Sequence, residues 1–201
     1  MVDKYGAGQD PYCYPGTDAL RNRLDIRDEQ TLNDAEQAIY EIAAASRITL
    51  SPPPYDLAFL QRIHQTLFSE LYEWAGQLRT VKIQKAETMF CTPERIVPEA
   101  AKIFRAMEDA GWFEDLSRAD LIVEVAQAYG DLNVIHPFRE GNGRAQRILF
   151  ENIIVNTGFT VDWWVVKEAS WIPANISAVM CDYRGLEVIF DQCISEMPQK
   201  S

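Results

Sequence analysis

Positive charge is what this chain has too little of: 19 Lys and Arg stand against 30 Asp and Glu, for a net charge of -11 at pH 7. A broad nucleic-acid footprint needs a clustered surplus of Lys and Arg, so no direct nucleic-acid ligand is expected. Metal-binding and cross-linking side chains are equally sparse. The two histidines, His64 and His136, and the four cysteines, Cys13, Cys91, Cys181 and Cys193, form no CxxC pair, which argues against a zinc site or a disulfide scaffold. Reduced thiols in a cytoplasmic protein are the expectation. No apolar run is long enough to span a bilayer, and the opening MVDKYGAGQDPYCYPG lacks the apolar stretch of a leader. No GxxxxGK[ST] loop and no GxGxxG fingerprint occur, so the common nucleotide cradles are missing too.

Apolar residues are plentiful. At 201 residues and 47% hydrophobic content the chain can bury a full core, which excludes disorder and points to one domain with a small appendage. The apolar spacing is mostly helical, without repeats, and predicts helices near 31–46, 56–74, 94–110, 118–135, 142–157, 171–181 and 184–196. SPPPY at 51–55 separates the first two. Leu121, Val125, Ala128 or Tyr129, and Leu132 share one face of the fourth. In GQLRTVKIQKAETMFCTP, Val81 and Ile83 alternate with Lys82 and Gln84, enough for a small hairpin near 79–90. The fold class is therefore all-α with one β-hairpin.

The fourth helix runs into HPFREGNGRAQR, residues 136–147. Pro137 disfavours α geometry at His136 and ends the helix there. A second helix starts near Asn142, so Gly141, Asn142 and Gly143 present backbone N–H groups without intrahelical partners, and glycine lets a phosphate come close. Arg144 and Arg147 are three apart on one face, and their forks suit phosphate. Glu140 offers a hard oxygen to Mg²⁺, which favours one or two carboxylates plus substrate phosphates. His136 is the one base in the cluster suited to neutral pH. Taken singly, a helix-end histidine is more often a cap, Gly-Asn-Gly a plain turn and an arginine pair a solvated face. Together within twelve residues they describe a magnesium nucleotide beside a hydroxyl that loses its proton. His64 reads as a core or surface helix residue, and the tryptophans mostly as packing.

HPFREGNGRAQR resembles the signature of the Fic domain family, HPFx[D/E]GNGRxxR, at every specified position. YPGTDALRNRLDIRDEQTLNDAE resembles the segment preceding many Fic cores, and WAGQLRTVKIQKAETMF the helix end and flap that cover their active site. The division this implies is a lead-in over 1–30 packed on a Fic domain over 31–201. The resemblance implies transfer of AMP from ATP, with Mg²⁺, to a Tyr, Ser or Thr hydroxyl of a target protein. His136 matches the base and Glu140 the metal carboxylate. Phe138 matches the loop anchor, Gly141, Asn142 and Gly143 the phosphate nest, Arg144 a contact to the transferring phosphates, and Arg147 the γ-phosphate arginine.

The family's flap pairs with an extended target segment, which places Ile83, Lys85, Thr88, Met89 and Phe90 near nucleotide or target. Trp171 and Asn175 are candidates for the adenine pocket. Gly143 stands where the family's Doc kinases carry lysine, which favours AMP transfer over phosphorylation. UMP or phosphocholine transfer and a catalytically idle binding module are the alternatives. Compact bacterial members act as toxins, some on type II topoisomerases. Many are restrained by a helix carrying [S/T]xxxE[G/N]. Thr66–Glu70 and Ser69–Glu73 satisfy its first five positions, but Leu71 and Trp74 follow, so a separate small antitoxin-like protein is expected to supply the inhibitory glutamate.

Overall fold

Helices begin where a short polar side chain can take an otherwise unpaired amide. The computed structural model describes residues 10–85 and 88–197; residues 1–9 of the lead-in, Ala86 and Glu87 of the flap and 198–201 of the tail lie outside the described residues. The Asp28 carboxylate accepts from the Thr31 amide at 2.9 Å and opens α1 (Glu29–Arg47). Asp56 does the same for Phe59 at 2.6 Å and opens α2 (Leu57–Phe68). A 3₁₀ turn with Pro93 at its start leads into α3 (Ile96–Asp109). Ser117 caps α4 (Arg118–Ile135). After it come α5 (Asn142–Asn156), α6 (Glu168–Ala178) and α7 (Arg184–Cys193).

The fourth helix is the centre of the molecule and touches α3, α5, α6 and α7. Its expected stripe is buried, with Leu121, Val125 and Leu132 fully so, but Ile122 and Ala126 on other faces are buried as well. A helix packed on several sides has little of its surface left for polar residues. Tyr129 reaches from it into an aromatic cluster, 5.1 Å from the Phe150 ring and 5.4 Å from Phe190. Residues 10–28 lie against this core through buried Cys13, Ala19 and Leu20. Asp10 closes an ion pair of 2.7 Å with buried Arg139.

The β structure is small. β1 (Gln84–Lys85) and β2 (Thr88–Met89) form the expected antiparallel hairpin, with Gln84 opposite Met89 and Lys85 opposite Thr88. A second antiparallel pair joins β3 (Phe159–Val161) to β4 (Ile194–Glu196), placing Val161 opposite Ile194.

Three helices correct the periodicity reading: the one expected over 171–181 is α6, Glu168–Ala178, and two others end early. The stretch expected to be helical to residue 74 leaves helix at Phe68 and continues as turns, bonded from the amides of Leu71 and Tyr72 to the Phe68 carbonyl. Leu71 and Tyr72 are buried, so their hydrophobicity mimics another helical turn. The last helix stops at Cys193 rather than 196 because Arg118 takes the carbonyls of Asp191 and Ile194, at 2.6 and 3.1 Å. Ile194 then turns its backbone to β3.

Candidate active site

The turn between α4 and α5 is shaped by residues that no longer obey helical geometry. His136, the residue that ends α4, adopts the left-handed conformation at φ 46°, ψ 64°, which costs an L-residue roughly 1–2 kcal/mol. Such strain persists where the surroundings hold it, and often at functional positions. Pro137, Phe138 and Arg139 are buried beneath it. Asn142 closes the loop with its own side chain: Oδ1 accepts from the Phe138 amide and Nδ2 donates to the Phe138 carbonyl, both at 2.8 Å. The loop is therefore a closed ring of hydrogen bonds before any ligand arrives.

Gly141 carries a φ of +78°, and a Cβ there would meet the Phe68 ring at 2.5 Å. Only glycine fits. Gly143 differs: a Cβ would meet nothing nearer than an Arg147 guanidinium nitrogen at 3.8 Å, so the space beside it is open. α5 starts without a side-chain cap, leaving its first amides to other partners.

A cavity of about 390 Å³ opens beside this turn, within the size range of small-molecule sites. Its walls include His136, Glu140, Asn142, Gly143 and Arg147 from the turn, Lys85, Thr88 and Phe90 from the flap, and Trp171 and Asn175 from α6. Ten residues singled out in the sequence thus converge on one volume. Tyr129 and Asn133 of α4 join them.

The His136 ring has a fixed proton arrangement. Nδ1 lies 3.0 Å from the Asn133 carbonyl, which can only accept, so Nδ1 carries the hydrogen and Nε2 is left as the acceptor. The Phe90 ring stacks on the imidazole at 3.9 Å. Burial pushes its pKa down to about 4 against the opposing Asn133 bond, and the nearby Lys85 ammonium lowers it further. A neutral imidazole with a free-standing acceptor nitrogen is a base ready near neutral pH.

Glu140 is the single carboxylate among the lining residues. Its Oε1 accepts the Gly141 amide at 2.9 Å and lies 3.7 Å from Arg144. Among the described residues no group of three or more His, Cys, Asp or Glu side chains is placed to hold a metal ion. The donor set fits a hard divalent cation held by one carboxylate and completed by substrate phosphates. Arg147 has its guanidinium 6.0 Å from the centre of the Trp171 ring and engages the Tyr129 hydroxyl, whose pKa burial pushes up to about 12. Asn175 donates Nδ2 to the Trp171 carbonyl at 2.8 Å, leaving buried Oδ1 without a partner among the described residues.

Five expected residues stand elsewhere. Arg144 turns away from the cavity to the buried Glu36 carboxylate of α1, with the Phe68 ring 4.8 Å from its guanidinium. Gly141 packs on Phe68 and His64 instead of facing the cavity. Phe138 is fully buried, stacked 3.9 Å from His64. Ile83 is buried too and takes the Phe90 amide on its carbonyl at 3.3 Å, so its side chain anchors the hairpin. Met89 is exposed and lies off the cavity wall.

Sequence reasoning missed Glu36, Arg79 and Asn133, and it read His64 as a core or surface residue without its bond to the Glu140 carbonyl. Glu36 and His64 sit in apolar-periodic helices, where a polar residue reads as a solvated or packed position. Arg79 lies in the GQLRT stretch just ahead of the hairpin, and its position there was the available signal.

Known proteins resemble this chain over most of its length. The Fic/DOC family model matches residues 54–154, from the start of α2 to the end of α5. "Probable protein adenylyltransferase Fic" of Escherichia coli K12 is 41% identical over 98% of each chain. The protein of the same name from Salmonella typhimurium LT2 is 39% identical over the same shares. Among solved structures, the BepC protein of Bartonella tribocorum with bound AMPPNP superimposes with a TM-score of 0.84 at 26% identity, covering 93% of this chain and 97% of that one. On the family match and these full-length relatives, the chain belongs to the Fic/DOC family.

Proposed function

We propose that this chain transfers AMP from magnesium ATP to a hydroxyl side chain of another protein. The observation that carries the reading is the neutral His136, with Nε2 as its acceptor, on the wall of the same cavity as Glu140, Gly143 and Arg147. The names of the full-length relatives support it.

The nucleotide's phosphates lie along the start of α5, where Gly143 leaves room and uncapped amides face negative charge. Arg147, steadied by Tyr129 and Trp171, takes the terminal phosphate. Glu140 would hold Mg²⁺, which would supply charge neutralisation at the phosphates. The target hydroxyl oxygen bonds to the α-phosphorus, and the bond from that phosphorus to the oxygen bridging to the β-phosphate breaks. Pyrophosphate leaves with that electron pair, and His136 Nε2 accepts the hydroxyl proton. Catalysis then rests on positioning and charge neutralisation.

Trp171 and Asn175 on the cavity wall are the residues placed to receive the adenine base, with the indole offering a stacking face. The flap, with Lys85 and Thr88 on the cavity wall, receives an extended target segment, and a type II topoisomerase subunit is the target class carried from the family resemblance. Control comes from a separate small protein bearing [S/T]xxxE[G/N] whose glutamate binds Arg147. Glu70 is bound to Arg47, Glu73 is exposed, and neither lines the cavity, which supports an inhibitor from outside the chain. No helix of the described residues is long and apolar enough to cross a membrane.

The test is to incubate purified chain with Mg²⁺, ATP labelled at the α-phosphate and bacterial lysate, beside His136→Ala. Labelled protein bands should appear with the native chain and fall by a factor on the order of 10² to 10⁴ in the variant. Equal labelling by both, or label that follows γ-labelled ATP instead, overturns the reading.

A further inference from the structure

Arg79 is one of the most deeply buried side chains in the protein, with 2% of its surface exposed. Burying a guanidinium is costly unless every donor finds a partner. Here the partners among the described residues are main-chain carbonyls. Nε donates to the His136 carbonyl at 2.7 Å, one terminal nitrogen to Val81 at 2.7 Å, and the other to Cys91 and, at 3.2 Å, to Ile135. The Arg79 amide adds a bond of 2.9 Å to the Pro137 carbonyl.

Those carbonyls belong to two different parts of the site. Ile135 and His136 form the C-terminal end of α4, where a cation is favoured by the helix dipole and where the base is held in its left-handed conformation. Val81 and Cys91 are the two stems of the flap, on either side of β1 and β2. One planar fork therefore ties both stems of the flap to the backbone of His136. The Cys91 amide, bonded to the Val134 carbonyl at 3.0 Å, and the Phe90 ring, stacked on the imidazole, join the same two parts.

We propose that Arg79 is a positioning residue for group transfer, a buried clamp that fixes the flap relative to His136 so that a hydroxyl delivered on the flap meets Nε2. The proposal rests on the AMP-transfer reading for its consequence in activity, but the clamp itself is a statement about the chain alone. Arginine is required because lysine offers a point charge and cannot span four carbonyls in a plane.

Three readouts test it. In Arg79→Lys, magnesium ATP affinity by calorimetry should stay within about threefold, since no phosphate contact is removed. Protein labelling in lysate should fall at least about tenfold, through kcat rather than the KM for ATP. Nitrogen-15 spectra of the histidines should show His136 losing its single tautomer. If the native chain labels nothing, the AMP-transfer reading fails while the histidine spectra still judge the clamp. Should the variant not fold, hydrogen exchange in the unaltered chain decides: the Arg79 Nε–H and the Phe90 and Cys91 amides should open with one common protection. Native-like labelling and histidine spectra in Arg79→Lys overturn the clamp, as do flap amides that exchange freely while Arg79 stays protected.

Discussion

His64 donates its Nε2–H to the Glu140 carbonyl across 2.9 Å, and this bond joins α2 to the turn that carries His136. The assignment of the proton is forced, because Nδ1 of the same ring accepts the Gly76 amide, also at 2.9 Å. Fully buried and neutral, the ring bridges the start of the flap segment and the backbone of Glu140. His64→Ala should leave a buried amide and a buried carbonyl without partners and open a cavity beside Phe138. Destabilisation of roughly 3–5 kcal/mol is expected by denaturant titration. A loss below about 1 kcal/mol would show that water or a neighbour replaces the ring.

Both histidines make stability depend on pH in the same direction. Burial lowers each pKa to about 4, the Glu140 carbonyl bond opposing this at His64 and the Asn133 carbonyl at His136. An unfolded histidine takes up its proton near pH 6.5, so between about 6.5 and 4 the unfolded chain binds more protons than the folded one, and stability falls as pH falls. From pH 7 to pH 5 each histidine should remove roughly 2 kcal/mol. Urea midpoints measured across that range should drop steeply, and His136→Gln should remove about half of the histidine part. A flat profile from pH 7 to 5 contradicts the buried neutral rings.

Much of this arrangement was legible because it is local. The twelve residues from His136 to Arg147 form one turn and the first residues of α5, so spacing alone brings His136, Glu140, Gly143 and Arg147 together. The helices were legible for the same reason, and α4 was read to its last residue because Pro137 stops it. What stayed hidden depends on distant partners. Arg144 shares a helical face with Arg147 in the one-dimensional reading, yet it binds Glu36 at a separation of 108 residues. The pairing of β3 with β4 also joins segments more than thirty residues apart, and nothing in Phe159–Val161 alone announces it. Ile83 was placed with the flap's contact residues because alternation gives a side chain's face but not which face meets the core.

Two glycines two residues apart should respond in opposite ways. Gly141→Ala must accommodate both a φ of +78° and a Cβ 2.5 Å from the Phe68 ring, so a loss of roughly 2–4 kcal/mol is expected. Gly143→Ala meets open space at a negative φ, and its stability should stay within about 1 kcal/mol of the native chain. Its cost should appear in function instead, as weaker magnesium ATP binding where the added methyl narrows the phosphate approach. Thermal melts and calorimetry on the two variants separate these roles; equal melting temperatures would remove the distinction.

The Arg144–Glu36 pair yields the sharpest contrast with a phosphate-binding role for both arginines of the turn. Glu36 is buried and accepts from Arg144 and from the Tyr72 hydroxyl, so it joins α1, the segment after α2 and the start of α5. Burial first, and then the Glu36 carboxylate beside it, raise the Tyr72 pKa. Removing one member of a buried pair leaves an uncompensated charge, which costs about 3–5 kcal/mol, whereas replacing both is far milder. Arg144→Met should therefore destabilise strongly, Glu36→Gln should do so less because the amide still bonds, and the double variant should recover part of the Arg144→Met loss. Magnesium ATP affinity should change by no more than about threefold in Arg144→Met that remains folded at low temperature. Arg147→Met should show the reverse pattern, with stability nearly kept and affinity reduced more than about tenfold, since charge-assisted bonds to phosphate each contribute about 1.5–3 kcal/mol. If Arg144→Met loses affinity as Arg147→Met does, and Glu36→Gln has no effect on stability, then Arg144 swings to the phosphates on binding and its tie to α1 is not what fixes the turn.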